Sequence, residues 1–333
     1  MKVATADFDV WCRGVEAYRC AWRPAAPTLP QGIWQEGTTV LRDYGGGQRS
    51  GAAAPLVIVV PSLVNRATVL DLLPGRSLLR DLLREARVWL VDWQAPGEIE
   101  QAFTVDDYVA RLLRVVEQGQ ATGRPVYLMG YCMGGLLALA TAQLAAQPVD
   151  GLVTLGTPWD FAAYAPGVRG GLAQWSAGLQ PWLAQGHALP VDILQTLFAL
   201  MQPLAVYEKF KHAGSAGIDD LFVAVEDWLN EGVPLVARVA HTCLADWFGA
   251  NTTVTGAWRV AGQVIDPARI ACPALVITAE KDQLVPQPSA AALAEALPNA
   301  KLLTPALGHV GMIVGRQAKQ LVWSPIAEFI RRR

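Results

Sequence analysis

Charge is scarce in this chain of 333 residues: Asp, Glu, Lys and Arg together make up 17%, against 52% apolar residues. Such a balance implies a large buried core beneath a surface sparing in charge, which suits self-association or contact with something apolar. Basic runs are missing too. The formal net charge is −2 and the one basic cluster is the terminal Arg331-Arg332-Arg333, so a nucleic-acid surface is not expected. No apolar run reaches the roughly 18 residues that a bilayer crossing needs. The opening MKVATADFDVWCRG carries acidic residues where a secretory signal would be apolar. A cytoplasmic protein is therefore the expectation.

Cysteine and histidine are also few. Cys12, Cys20, Cys132, Cys243 and Cys272 show no CxxC spacing and no accompanying histidine pattern, which disfavours a disulfide framework or a zinc site. No metal and no bound organic cofactor is expected. Most of these cysteines read as small buried apolar residues. One is placed differently.

No internal repeat or low-complexity tract is evident. A helix is expected over residues 7–22, then a Pro-rich connection to about Gly32, a hairpin strand around Thr38–Arg42, and the weakly patterned GGGQRSGAAA. From there strand and helix signals alternate. PLVIVVPSL is a continuous apolar run suited to a strand buried on both faces. SLLRDLLREA has helical spacing, RVWLVDW is a strand, and TVDDYVARLLRVVEQ is a helix opened by a capping box at Thr104 and Asp107. PVYLMGY, GGLLALATAQLAA and GLVTLGTPW follow as strand, helix and strand. Later come the strand PALVITAE, the helix PSAAALAEAL, the strand KLLTPAL and a closing helix through Trp323 to Arg333. This alternation predicts a mostly parallel central sheet with helices on both faces. Residues 160–265 break the rhythm with clustered Trp and Pro and short helical pieces. They read as a helical cap insertion over the C-terminal edge of the sheet. The expected organisation is thus a core of residues 1–159 and 266–333, with 1–50 as an N-terminal extension, and a cap over 160–265.

Chemistry concentrates at Gly130-Tyr131-Cys132-Met133-Gly134-Gly135. The segment follows a strand and opens a helix, as the nucleophile elbow G-x-S-x-G does, with Cys in the place of Ser. Gly130 and Gly134 leave room where the strand turns sharply, and the helix N-terminus favours negative charge at Cys132. The plain alternative is a buried Cys in an ordinary strand–helix turn, and the matching strand and helix argue against it. An elbow nucleophile needs an acid and then a His later in the chain. Asp282 sits after PALVITAE, in Glu280-Lys281-Asp282, and His309 follows the next strand, in Leu307-Gly308-His309-Val310-Gly311. Asp160 and Glu280 compete for the acid. The other histidines, His187, His212 and His241, fall in the expected cap, where a lone His is usually structural. Oxyanion-hole donors are expected from the backbone N–H of Met133 and from the loop after PLVIVVPSL, near Leu63 or Val64. The whole pattern resembles the α/β-hydrolase fold.

More narrowly, the chain resembles the polyhydroxyalkanoate synthases, which polymerise 3-hydroxyacyl-CoA. PLVIVVPSLVNRATVLDL resembles that family's strand followed by its NR…LDL signature, and VWLVDWQAP with TVDDYV its next strand and helix start. GYCMGG is its Cys form of the lipase box, while TAEKDQLVP and GHVGMIVG resemble the segments around its catalytic Asp and His. The likeness covers roughly residues 55–160 and 268–333. It implies Cys132 as the acyl-bearing nucleophile, His309 as its base and Asp282 as the orienter of His309. It further implies a 3-hydroxyacyl-CoA thioester as substrate, with CoA as leaving group. Without the long N-terminal domain of the larger synthases, the chain resembles the short types, which work with a second subunit. A polyester granule is the other implied association, and the apolar composition of the chain leaves room for a homodimer. VEDWLNEGVPLVARVAHTCLADWFGANT, in the expected cap, departs from the family pattern, and GTPWDF differs in detail. Two other functions fit the residues: a Cys-dependent hydrolase (an acyl-CoA thioesterase or intracellular polyester depolymerase), and a non-catalytic protein that binds a partner or granule through its Trp-rich cap.

Overall fold

A run such as Leu56-Val57-Ile58-Val59-Val60 has no polar face, so it can be stable only where both of its faces are covered. The computed structural model, which describes residues 2–46, 54–202 and 204–331 (for residues 2–6 the backbone alone), covers it in that way. All five residues are buried. Most of GGGQRSGAAA, and Arg332 and Arg333, lie outside the described residues.

Among the described residues the main sheet has eight strands: β1 (Gly32–Glu36), β2 (Thr39–Gly46), β3 (Leu56–Val60), β4 (Arg87–Asp92), β5 (Val126–Tyr131), β6 (Gly151–Leu155), β7 (Ala274–Ile277) and β8 (Ala300–Leu303). Their spatial order is β1-β2-β4-β3-β5-β6-β7-β8. The first two strands pair antiparallel with each other, and β2 runs antiparallel to β4. Every later pairing is parallel. The helices are α1 (Lys2–Cys20), α2 (Leu78–Leu82), α3 (Val105–Gln120), α4 (Met133–Leu144), α5 (Pro166–Ala184), α6 (Val191–Met201), α7 (Ala205–Ala216), α8 (Asp220–Asn230), α9 (Ala237–His241), α10 (Gln287–Ala296), α11 (Gly311–Val314) and α12 (Ser324–Arg331). A π-helical turn, Thr242–Gly249, continues α9.

Strand periodicity sends alternate residues to opposite faces. Leu56, Ile58 and Val60 join one apolar cluster with Val109, Leu112 and Leu136 of α3 and α4. Val57 and Val59 join another with Leu78 and Leu82 of α2 and Ile326 and Ile330 of α12. Burying a side chain of this size contributes roughly 1.5–3 kcal/mol. The capping expected for α3 is present: Asp107 Oδ2 accepts from the Thr104 N–H at 2.7 Å.

Between β6 and β7, residues 161–249 hold α5 to α9, a 3-10 turn and the π-helical turn. Their buried side chains Phe161, Leu172, Leu197 and Trp247 belong to the same apolar cluster as Leu56 and Ile58. Two of the sequence expectations are corrected. The strand β1 lies where only the end of a Pro-rich connection was expected, because its residues are half exposed and show no apolar run. Most cysteines are not buried either: Cys12 and Cys20 are exposed, and the other three are intermediate.

Candidate active site

Cys132 stands at the turn from β5 into α4 with φ 54° and ψ −129°. A side-chain-bearing residue in that region stores about 1–3 kcal/mol, and surrounding contacts must hold it there. The Cys132 N–H donates to Leu155 O at 2.8 Å, and Cys132 O accepts from the Gly135 N–H at 2.9 Å. The flanking glycines are needed because backbone meets backbone. A Cβ on Gly130 would lie 2.6 Å from the Gly134 carbonyl oxygen, and one on Gly134 would lie 2.5 Å from that of Pro61. The tight turn leaves Cys132 half-buried at the start of α4.

The acid and the histidine arrive on loops at the ends of β7 and β8. Asp282 Oδ1 accepts from the N–H groups of Leu284 at 2.9 Å and Val285 at 2.8 Å. Its Oδ2 lies 2.6 Å from Nδ1 of His309. Both carboxylate oxygens are thereby committed, which fixes the orientation of the imidazole. Asp282 is 7% exposed and His309 8%. Burial works against a charged ring, but the Asp282 carboxylate, the Cys132 sulfur and hydrogen bonds to both overcome it, lifting His309 from 6.5 to about 10. The arrangement can hold an imidazolium between Asp282 and Cys132.

The competing residues lie elsewhere. Asp160 caps its own turn, its Oδ1 accepting from the Ala162 N–H and from Asn251 Nδ2, each at 2.8 Å. Glu280, His187, His212 and His241 are exposed.

Of the oxyanion candidates, Met133 is the first residue of α4, and its sulfur touches Cys243 Sγ at 3.5 Å. Val64 lies in the loop after β3. Its N–H makes only a long 3.4 Å hydrogen bond to Ser62 Oγ, and its carbonyl accepts from Val233 at 3.3 Å. Indole groups brace the same loop: Trp93 Nε1 donates to Pro61 O at 3.0 Å and Trp228 Nε1 to Arg66 O at 2.8 Å. Among the described residues, no group of three or more His, Cys, Asp or Glu side chains is placed to hold a metal ion.

Two tyrosines escape a sequence reading. Tyr131 and Tyr164 are buried, and burial, then Cys132 and Asp282, push both phenols well above their ordinary range. Tyr131 reads as one more apolar residue of a buried strand. Tyr164 lies in an aperiodic stretch, stacked on Phe161 with ring centroids 6.0 Å apart. Tyr164 also lines a cavity of about 380 Å³ with Val168, Met201, Gln202 and Gln283.

Comparison with known proteins adds a second line of observation. Residues 67–322 match the model of the alpha/beta hydrolase family. The chain is 26% identical over 316 residues to the poly(3-hydroxyalkanoate) polymerase subunit PhaC of Haloferax mediterranei, covering 90% of this chain and 63% of that one. It is 27% identical to the Synechocystis protein of the same name, covering 92% and 85%. The Thiocystis violacea protein of that name is 29% identical, covering 84% and 81%. The chain thus spans less than two thirds of the Haloferax relative. Among solved structures, MenH from S. aureus aligns with a TM-score of 0.57 at 15% identity, covering 87% of this chain and 97% of that one. A thermophilic esterase from Thermogutta terrifontis aligns at 0.54 with 20% identity, covering 92% and 99%. These two likenesses show the fold.

Proposed function

Since the chain belongs to the alpha/beta hydrolase family, we propose that it is a cysteine acyltransferase that joins 3-hydroxyacyl units from CoA thioesters into a polyester. The observation that carries this reading is the one buried histidine, clamped to Asp282 at 2.6 Å and near enough to Cys132 to feel its sulfur. The substrate class comes from the name shared by the relatives of Haloferax, Synechocystis and Thiocystis.

In the first half-reaction the Cys132 sulfur attacks the thioester carbonyl. The N–H groups of Met133 and Val64 would face the developing oxyanion. When the tetrahedral intermediate collapses, the carbon–sulfur bond to CoA breaks and the His309 imidazolium gives its proton to the departing CoA sulfur. Acylation removes the charge from Cys132, and with it one of the two charges that raise His309. With its proton on CoA and that charge gone, the ring stays neutral and is a competent base. In the second half-reaction a 3-hydroxyl gives its proton to His309 and its oxygen attacks the acyl-Cys132 carbonyl. An ester to a second 3-hydroxyacyl-CoA forms, the Cys132 sulfur leaves, and the elongated acyl-CoA then reacylates Cys132 with release of CoA. Asp282 stays ionised and keeps the ring oriented.

Residues 160–265 act in this reading as a cap that keeps water from the acyl-enzyme while a hydroxyl enters. The protein works in the cytoplasm at a polyester granule, with a second synthase subunit or a second copy as partner. No helix in the described residues is long and apolar enough to cross a membrane.

The test is to mix the purified protein with 3-hydroxybutyryl-CoA and follow CoA release and acyl products beside a Cys132→Ala control. Release of CoA with a growing oligomer, absent in the control, is the expected result. Free 3-hydroxy acid as sole product would replace the reading with a hydrolase, and a Cys132→Ala protein matching the wild type would overturn it.

A further inference from the structure

Tyr131 is a buried titratable residue to which the half-reactions above give no task. It lies between Gly130 and Cys132 at the end of β5 and is 3% exposed. Its ring stacks on the imidazole of His309, with centroids 5.1 Å apart and planes inclined by 30°. The phenol O–H reaches the backbone carbonyl of His309 through a long hydrogen bond of 3.5 Å. Beside the imidazole lies Gly156, at φ 55°, where a Cβ would come 2.9 Å from His309 Cε1 and 3.0 Å from Nδ1. The titratable groups that bear on this ring are Asp282 at Nδ1, the Cys132 sulfur and the phenol of Tyr131 itself. The aromatic face of Tyr131 is thus the contact that can favour the protonated imidazole without adding a charge. A cation within about 6 Å of an aromatic centroid is attracted by the negative face of the ring.

We propose that Tyr131 is a positioning residue for the catalytic histidine: its ring face holds the His309 imidazolium in line with Cys132, and Gly156 leaves the space that this pose needs. The inference rests on reading Cys132 and His309 as nucleophile and base. It goes beyond that reading in giving the residue before the nucleophile a task in the chemistry. The ring carries the task and the hydroxyl does not, since a 3.5 Å hydrogen bond is weak. While His309 is charged, in the free enzyme, the stack is at its strongest. Once the acyl group neutralises Cys132 and the ring gives up its proton, the stack keeps the neutral imidazole from rotating away from the incoming hydroxyl.

Two readouts on the full-length protein test this. In the first, iodoacetamide alkylation of Cys132 is followed by peptide mass mapping from pH 5 to 9, with the exposed Cys12 and Cys20 as internal references. Cys132 is expected to react faster than both in wild type and in the Tyr131 variants, since a ring charged to about pH 10 stays charged near neutrality without the stack. In the second, the ring protons of His309, one of only four histidines, are expected upfield of their ordinary positions in wild type and in Tyr131→Phe, and in Tyr131→Leu their titration midpoint is expected to fall by an about threefold to tenfold change in proton affinity. A leucine variant with the wild-type titration midpoint for His309 would overturn the proposal, as would wild-type His309 protons at ordinary positions. The second readout decides the matter if Tyr131→Leu does not fold. Wild-type Cys132 reacting no faster than Cys12 or Cys20 would instead count against the nucleophile reading, which the proton shifts leave untouched.

Discussion

A single proton on His309 is central to the site. An ordinary imidazole titrates near 6.5, whereas the folded protein holds this one charged to about pH 10. The stabilisation gained from that proton is complete below 6.5 and is lost as pH rises through the folded value near 10. The urea midpoint of the wild type should therefore fall between those two values, and His309→Gln should flatten that part of the decline. A wild-type curve parallel to that of the variant would mean that the ring is not held charged. On activity, Asp282→Asn should lower CoA release on the order of a hundredfold to ten-thousandfold while leaving the unfolding transition cooperative, read by steady-state release against circular dichroism. Sequence pattern singles out Cys132, Asp282 and His309 because each lies on a short turn or loop after a strand, and the structure places Asp282 against His309. It does not single out the tyrosines. Their contribution depends on which rings lie over which charges, and no spacing along the chain encodes that.

At the level of elements, the legible parts are those where one physical demand dominates. The runs at Leu56–Val60 and Val126–Tyr131 are apolar throughout because both sheet faces are covered. The strand β1 was illegible because an edge strand with half-exposed residues has no such demand. The expected helix over SLLRDLLREA closes early, at Leu82, where the chain turns back to enter β4. The π-helical turn at Thr242–Gly249 has no sequence signature, since its single extra residue per turn is set by packing. The contact of α1 with α7 can be tested. Gly14 and Gly214 let the two backbones touch, and a Cβ on Gly214 would lie 2.9 Å from the Gly14 nitrogen. Around this crossing, Tyr18 donates to Asp227 at 2.6 Å and Lys211 pairs with Asp7 at 2.9 Å. Gly214→Ala should loosen α1, giving faster proteolytic cleavage ahead of β1 while Cys132 alkylation stays as in the wild type. Equal cleavage rates would show that the crossing has room to spare.

Over the whole molecule, the apolar cluster ignores the boundary that composition suggests at residue 160. Phe161, Leu197 and Trp247 pack in one continuous body with Leu56, Ile58 and Leu136. Trp247 lies 5.6 Å from Trp258 and 6.2 Å from Phe161, centroid to centroid. Segments that share a core lose it together, so guanidinium unfolding should follow one transition by both tryptophan fluorescence and far-ultraviolet circular dichroism. Two separated transitions would mean that residues 160–265 fold apart from the sheet. Trp247→Ala should lower the stability of the whole by about 3–5 kcal/mol, with both signals moving together.

The central claim is that an acyl chain grows on Cys132. Its most direct test is to quench the protein after brief exposure to 3-hydroxybutyryl-CoA, measure the intact mass and map the modified peptide. A ladder of added 3-hydroxybutyryl units on the peptide containing Cys132, missing in Cys132→Ala, is the result expected. Turnover of the thioester with Cys132 unmodified throughout, or with the units on another residue, would contradict it.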